Sequence, residues 1–167
     1  MTPGKTPRVN TLALALTVTL AALGASVAAA QETPRMGGIL KVASIGEPPT
    51  LDIPMSTATL TYEIMWHVNE TLFTHDRNWV PVPLPAESHA LSDRGLRHTI
   101  ALRRGVKFHN GKEMTSADVV ASLKRWGRLA SVGKVLWKDV ESIEAKDPYT
   151  VVIFLKQPSG SLLYGLA

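Results

Sequence analysis

FHNGKEMTSADVVASLKRW, residues 108–126, holds a turn, a helix cap and an amphipathic helix in one uninterrupted run. Asn110-Gly111 predicts a tight reversal, because both residues tolerate the positive φ that a two-residue turn demands. Thr115 stands where a helix N-cap belongs, and Asp118 three residues on closes an acidic variant of the capping box. Val119, Val120, Leu123 and Trp126 follow at helical spacing and form one apolar face. The helix is expected to run to about Arg128. Lys124, Arg125 and Arg128 then lie near its C-terminal end, where the dipole favours positive charge by ~0.3–1 kcal/mol each. That structural role is preferred to a nucleic-acid face built on the same basic residues and Trp126.

Outward from this helix the pattern alternates between strands and turns. Arg97–Leu102 places His98, Ile100 and Leu102 on one side, and Asp93-Arg94-Gly95 before it predicts a hairpin turn. Val140–Ala145 and Thr150–Leu155 read as a second hairpin, joined through Lys146-Asp147-Pro148-Tyr149. A helix is expected to start near Ser161, after Pro158-Ser159-Gly160. Towards the N-terminus, Gly38–Ser44 alternates and reads as a strand. Leu60, Ile64, Met65 and Val68 give helical spacing over Thr59–Asn69. Leu72–Thr74 is a short strand, and Pro81, Pro83 and Pro85 restrict their segment to an edge or a loop. Strand, helix, hairpins, helix and hairpin in that order predict an α+β fold with mainly antiparallel pairing and flanking helices, with no repeating βαβ unit.

Five ordered blocks resemble one family. Gly37–Ala43 with Glu47-Pro48-Pro49-Thr50-Leu51-Asp52 resembles an opening strand followed by an L-D-P turn, here with Ile53 before Pro54. Asn69-Glu70-Thr71-Leu72-Phe73 resembles an E-x-L step, and Pro85-Ala86-Glu87-Ser88 an L-A-E-S element in which His89 replaces the usual tryptophan. Leu102–Phe108 resembles L-R-x-G-V-K-F, and residues 108–126 are the fifth block. Together they are similar to the family 5 extracellular solute-binding proteins, the dipeptide, oligopeptide, nickel and opine receptors of ABC importers. The resemblance implies part of the first lobe of a two-lobed, type II periplasmic binding protein: the opening strand plus most of the accessory subdomain. It also implies that the loop after the L-D-P turn approaches the ligand cleft, at Met55, Ser56, Thr57 and Ala58. Glu47 could reach the cleft too, although a role at the strand end fits it better.

The ends of the chain carry separate expectations. Lys5 and Arg8, an uncharged apolar run over Thr11–Gly24 and Ala28-Ala29-Ala30 read as a signal peptide, residues 1–30, cleaved before Gln31. With no cysteine there are no disulfides and no lipid-bearing anchor, so a soluble periplasmic protein is expected. Removing Lys5 and Arg8 leaves 16 basic residues against 14 acidic ones, a balance that does not imply nucleic acid. Residues 31–167 suffice for one small domain, whereas the resemblance implies a much longer receptor. The apolar close Leu162–Ala167 reads as the cut end of an N-terminal fragment or of an interrupted gene. Surfaces around Trp66, Trp137 and Leu162–Leu166 are accordingly expected to be exposed and prone to aggregation.

Catalytic chemistry finds no constellation. His67, His75, His89, His98 and His109 show no helical i,i+4 pair, and no cysteine completes a zinc set, so no metal and no cofactor are expected. His75-Asp76 reads as a solvated turn. Ser88, His89 and Asp93 lie near one another in sequence, but a G-x-S-x-G elbow is absent and triads are defined by geometry. The leading reading is therefore not an enzyme. It is a monomeric periplasmic receptor that captures a small solute, such as a peptide, and delivers it to an ABC permease in the inner membrane. Met55, Ser56 and Thr57 are its ligand contacts. The alternatives are a remnant of such a receptor without binding activity, and a hydrolase or metal enzyme built on a histidine.

Overall fold

The structure is a computed structural model that describes residues 36–167; the expected signal peptide, residues 1–30, lies outside the described residues. Four antiparallel strands form the main sheet: β3 (Ala86–Ser92), β4 (Arg97–Leu102), β5 (Val140–Asp147) and β6 (Thr150–Leu155), in the order β3-β4-β6-β5. A two-stranded ribbon, β1 (Phe73–His75) with β2 (Pro81–Pro83), precedes it. The helices are α1 (Thr59–Met65), α2 (Ser116–Leu129), α3 (Ser131–Leu136) and α4 (Leu162–Gly165). The α+β class and its antiparallel pairing follow the sequence reading.

Alternation decides which face of the sheet is inside. On β4, His98, Ile100 and Leu102 are buried while Arg97, Thr99 and Ala101 are half-buried. The register pairs His98 with Ile153 and Ile100 with Val151, so the same face of β6 is covered. Helix α2 lies across this face with Val119 and Leu123 buried, each contributing roughly 1.5–3 kcal/mol. Val120 and Trp126 pack beside them, half-buried. The helix starts where expected: the Asp118 carboxylate accepts the Thr115 amide at 2.9 Å and the Thr115 hydroxyl at 2.7 Å. Its first turn is tied to the β5–β6 hairpin, because the Ser116 amide donates to the Pro148 carbonyl at 2.8 Å and the buried Ser116 hydroxyl donates to the Asp147 carbonyl.

Several expectations are corrected. Gly38–Ser44 forms no strand, and Ile39, Leu40 and Val42 are exposed. A strand exists only by pairing its backbone groups, and residues 38–44 join no ladder. The helix expected over Thr59–Asn69 is regular only to Met65, and Ile64 and Val68 are 41% and 45% exposed. Its one buried residue is Thr61. At 110–111 only Gly111 takes a positive φ, 84°; the Asn110 side chain instead accepts the Lys112 amide at 3.0 Å. Leu162 and Leu166 are buried, not exposed: α4 folds back and the Leu166 carbonyl accepts the Phe73 amide at 3.2 Å. Trp137 is half-buried, while Trp66 remains 70% exposed as expected.

Helix α3 has no counterpart in the sequence reading. It follows α2 after a break at Ala130 (ψ 141°) and crosses it where both helices carry glycine. A Cβ on Gly127 would fall 2.3 Å from the Trp137 ring, and one on Gly133 2.3 Å from the Trp126 carbonyl oxygen. Trp126 and Trp137 meet edge to face there, 6.3 Å between centroids.

Candidate functional site

The segment from Thr50 to Thr61 is folded by its own short polar side chains. The Thr50 hydroxyl accepts the Asp52 amide at 3.1 Å, and the Ser56 hydroxyl accepts the Ala58 amide at 3.0 Å, closing two successive Ser/Thr turns. Between them Ile53–Met55 makes one 3-10 turn, opened by Pro54, whose missing amide costs nothing at that position. The Thr61 hydroxyl, fully buried on α1, donates to the Thr50 carbonyl at 2.8 Å and fastens the start of the loop.

Asp52 then reaches α2. Both of its carboxylate oxygens accept from the Arg125 guanidinium, one at 2.9 Å, in a bidentate fork. The Arg125 hydrogen bond, with its charge, holds the Asp52 carboxyl below the usual range and raises Arg125. Arg125 is therefore an ion-pair partner as well as a residue near a helix end; Arg128 is the basic residue of the last turn. Sequence reasoning missed this pair, since its members stand 73 residues apart.

The pair stands at the rim of a cleft of about 420 Å³. One wall is Leu51–Pro54, another is α2 through Ser122 and Trp126, and the floor includes Leu72 and Leu166. The lining is mainly apolar with a few charged groups at its edge, a common composition for a surface that receives another molecule or another part of a protein. Met55, Ser56 and Thr57 do not line this cleft. Met55 is 61% exposed and Thr57 is exposed, so both face outward, while Ser56 is half-buried with its hydroxyl engaged by Ala58. Glu47 is exposed.

Two other polar clusters have structural roles. Asp118 also accepts Lys112 Nζ at 2.8 Å; this bond first, then those from Thr115, lowers its carboxyl to about 2. The Tyr149 hydroxyl donates to Glu113 at 2.9 Å, Gly105 donates to the same oxygen at 2.8 Å, and Arg104 lies 4.4 Å over the Tyr149 ring. The amide of Gly105 and the hydroxyl of Tyr149 hold Glu113 below the usual carboxylate range.

Two of the five histidines do converge, contrary to their separation in sequence. His89 Nε2 lies 3.0 Å from His98 Nδ1, across neighbouring strands. His98 is 2% exposed, with Nε2 lacking a hydrogen-bond partner. Burial, and then the neighbouring His89, lowers it to about 4. His89 fills the place where the family motif carries tryptophan, and it meets Phe73 edge to face at 6.1 Å. No group of three metal-ligating side chains stands together among the described residues. His75 lies tilted against Trp79 and Tyr164 at the ribbon, where Asp76 holds the turn through the amides of Asn78 and Val80.

Comparison with known proteins decides the family. The model of bacterial extracellular solute-binding proteins, family 5 (Middle), matches residues 80–167, more than half of the chain. The chain belongs to the family 5 bacterial extracellular solute-binding proteins. It is 34% identical over 134 residues to a probable peptide ABC transporter periplasmic-binding protein of Sinorhizobium fredii, covering 80% of this chain and 24% of that protein. It is 37% identical over 120 residues to a glutathione-binding protein of an avian pathogenic Escherichia coli, 71% of this chain and 23% of that one. Among solved structures, the oligopeptide-binding protein of Bacillus subtilis in complex with a nonapeptide shares the fold with a TM-score of 0.66 at 30% identity, over 74% of this chain and 25% of that one. This family 5 chain thus spans about a quarter of the length of the relatives it matches. Each of those relatives is named as a binding protein, and the first as one of a peptide ABC transporter.

Proposed function

We propose that this chain is the periplasmic substrate-binding component of an ABC importer for peptides or similar small solutes. The observation that carries the reading is family 5 membership together with a backbone shared, over 74% of the chain, with a receptor whose structure holds a nonapeptide. Glutathione is itself a tripeptide, so the relatives named for peptide and for glutathione point to one chemical class. In this reading residues 1–30 direct export and are removed before Gln31. Residues 31–167 form part of the first lobe, the opening segment plus the accessory subdomain. The receptor works as a monomer: it closes on its solute and releases it to an inner-membrane permease without making or breaking a bond.

Met55, Ser56 and Thr57 are the proposed solute contacts. Two of them are exposed on a loop whose backbone is held from beneath, the arrangement of an adaptable thioether and a hydroxyl offered to a ligand of variable shape. Isothermal titration of the exported chain with tri-alanine and with glutathione tests the proposal. Saturable heat with the peptide recovered intact supports it. Peptide cleavage, or no heat with either probe, overturns it. N-terminal sequencing of the exported form is expected to begin at Gln31, and a start at Met1 would contradict the export signal.

A further inference from the structure

We infer that Asp52 and Arg125 form a positioning clasp that sets where the loop Ile53–Thr57 stands against α2, and hence how its side chains are presented. The consequence for ligand presentation rests on the solute-binding reading above; the clasp itself rests on geometry. Apart from the Asp52–Arg125 pair, the hydrogen bonds of the loop and its ends are local, confined to residues 50–62. Among the described residues, the bidentate pair is the one hydrogen-bonded link from Leu51–Ala58 to an element beyond α1.

Geometry makes this pair a positioner more than a source of stability. It is open to water, with the two side chains 44% and 36% exposed, and exposed pairs contribute little net free energy. A bidentate fork between planar groups, however, fixes orientation as well as distance. Asp52 immediately precedes the 3-10 turn and Met55 donates its amide to the Asp52 carbonyl at 3.0 Å, so the clasp acts on the turn through one peptide unit. Arg125 is held in turn by the helix whose Leu123 and Trp126 anchor in the core.

Hydrogen exchange in the full chain tests the clasp, read at the amides of Met55, Ser56 and Ala58. Asp52→Asn is expected to speed their exchange by about three- to tenfold, while amides of Val119 and Leu123 on α2 stay unchanged. The double reversal Asp52→Arg with Arg125→Asp is expected to recover most of the protection. Unchanged exchange in Asp52→Asn, or no recovery in the double variant, overturns the clasp. Titration with glutathione and with tri-alanine gives the second arm. Weakened binding in Asp52→Asn that recovers in the double variant supports the presentation role, and unchanged affinity beside faster exchange overturns it. A parent chain that binds neither probe overturns the solute-binding reading, and the exchange data still decide the clasp.

Discussion

Residues 86–167 and residues 43–71 share one chain and follow opposite rules. In the first region, strands and helices bury Ile100, Leu102, Val119, Leu123, Ile153, Leu155, Leu162 and Leu166 in one continuous core with Leu72 and Phe73. In the second, Ile45, Leu51, Met55, Ile64, Trp66 and Val68 are all exposed, and the one fully buried side chain is the hydroxyl-bearing Thr61. The first region is held by apolar contact, which is strong and unspecific in direction. The second is held by directed polar links, Thr61 to Thr50 and Asp52 to Arg125, which fix geometry at little gain in stability. In the second arrangement large apolar residues stay outside the core.

The sharpest way to break this contrast is to cut the core. Ile153→Ala removes a fully buried side chain at the centre of the sheet and is expected to cost ~2–5 kcal/mol in urea denaturation of the full chain. A cost below about 1 kcal/mol would mean that the sheet side is no better packed than the loop side. Gly127→Ala comes next. Its Cβ would enter the Trp137 ring, so α2 and α3 must separate, at a cost of ~1–3 kcal/mol despite the better helix propensity of alanine. A stabilised Gly127→Ala variant would show that the helix crossing is looser than the structure has it.

The same contrast explains what was legible in the sequence. Helix α2 and both hairpins are written in local code: a cap, a 3.6 period, and turn residues between alternating runs. Thr115, Asp118 and the buried side of β4 therefore appear where the pattern puts them. Features that need a distant partner were not legible. Alternation over Gly38–Ser44 describes a strand's faces but supplies no neighbour to pair with, and the segment is not a strand. Gly133 looks like a helix breaker, yet α3 needs it because the Trp126 carbonyl occupies the place of a Cβ. The apolar close of the chain resembled an exposed end, but Leu162 and Leu166 pack under Phe73, far off in sequence. The candidate loop was named from family resemblance alone; its anchor, Asp52 with Arg125, had no local signal.

His98 gives the comparison a pH dependence. It lies on the core face with its proton affinity lowered to about 4, whereas the unfolded chain protonates near 6.5. Above pH 6.5 neither state holds this proton, and the group leaves stability unaffected. Between 6.5 and 4 the unfolded chain gains the proton first, so stability falls as pH drops and levels off below about 4. The loss comes first from burial of the ring and is expected to be about 1–2 kcal/mol, smaller than the full proton-affinity difference because the neighbouring His89 is only half-buried and water reaches the pair. His98→Gln should flatten the profile between pH 6.5 and 4 in thermal melts. An unchanged slope would place the titration elsewhere. Loss of the helix cap is of similar or smaller size: Thr115→Ala is expected to cost ~1 kcal/mol, most of it visible at neutral pH, where Asp118 is charged and accepts the Thr115 hydroxyl.

The smallest effects belong to residues 43–71, and that is what makes them informative. Ile64→Ala and Trp66→Ser delete large side chains that are 41% and 70% exposed, so each should change the free energy of unfolding by less than about 0.5 kcal/mol. Substitutions of the same chemical size in the core cost several times more, so one denaturation series measures both sides of the comparison. A loss above about 1.5 kcal/mol from Ile64→Ala would show that α1 is buried in solution, against something the exposed face meets there. The loop would then owe its position to apolar packing, and the polar links at Thr61 and Asp52 would be secondary. A near-zero change leaves the directed hydrogen bonds as what holds the loop, with the apolar side chains outside the core.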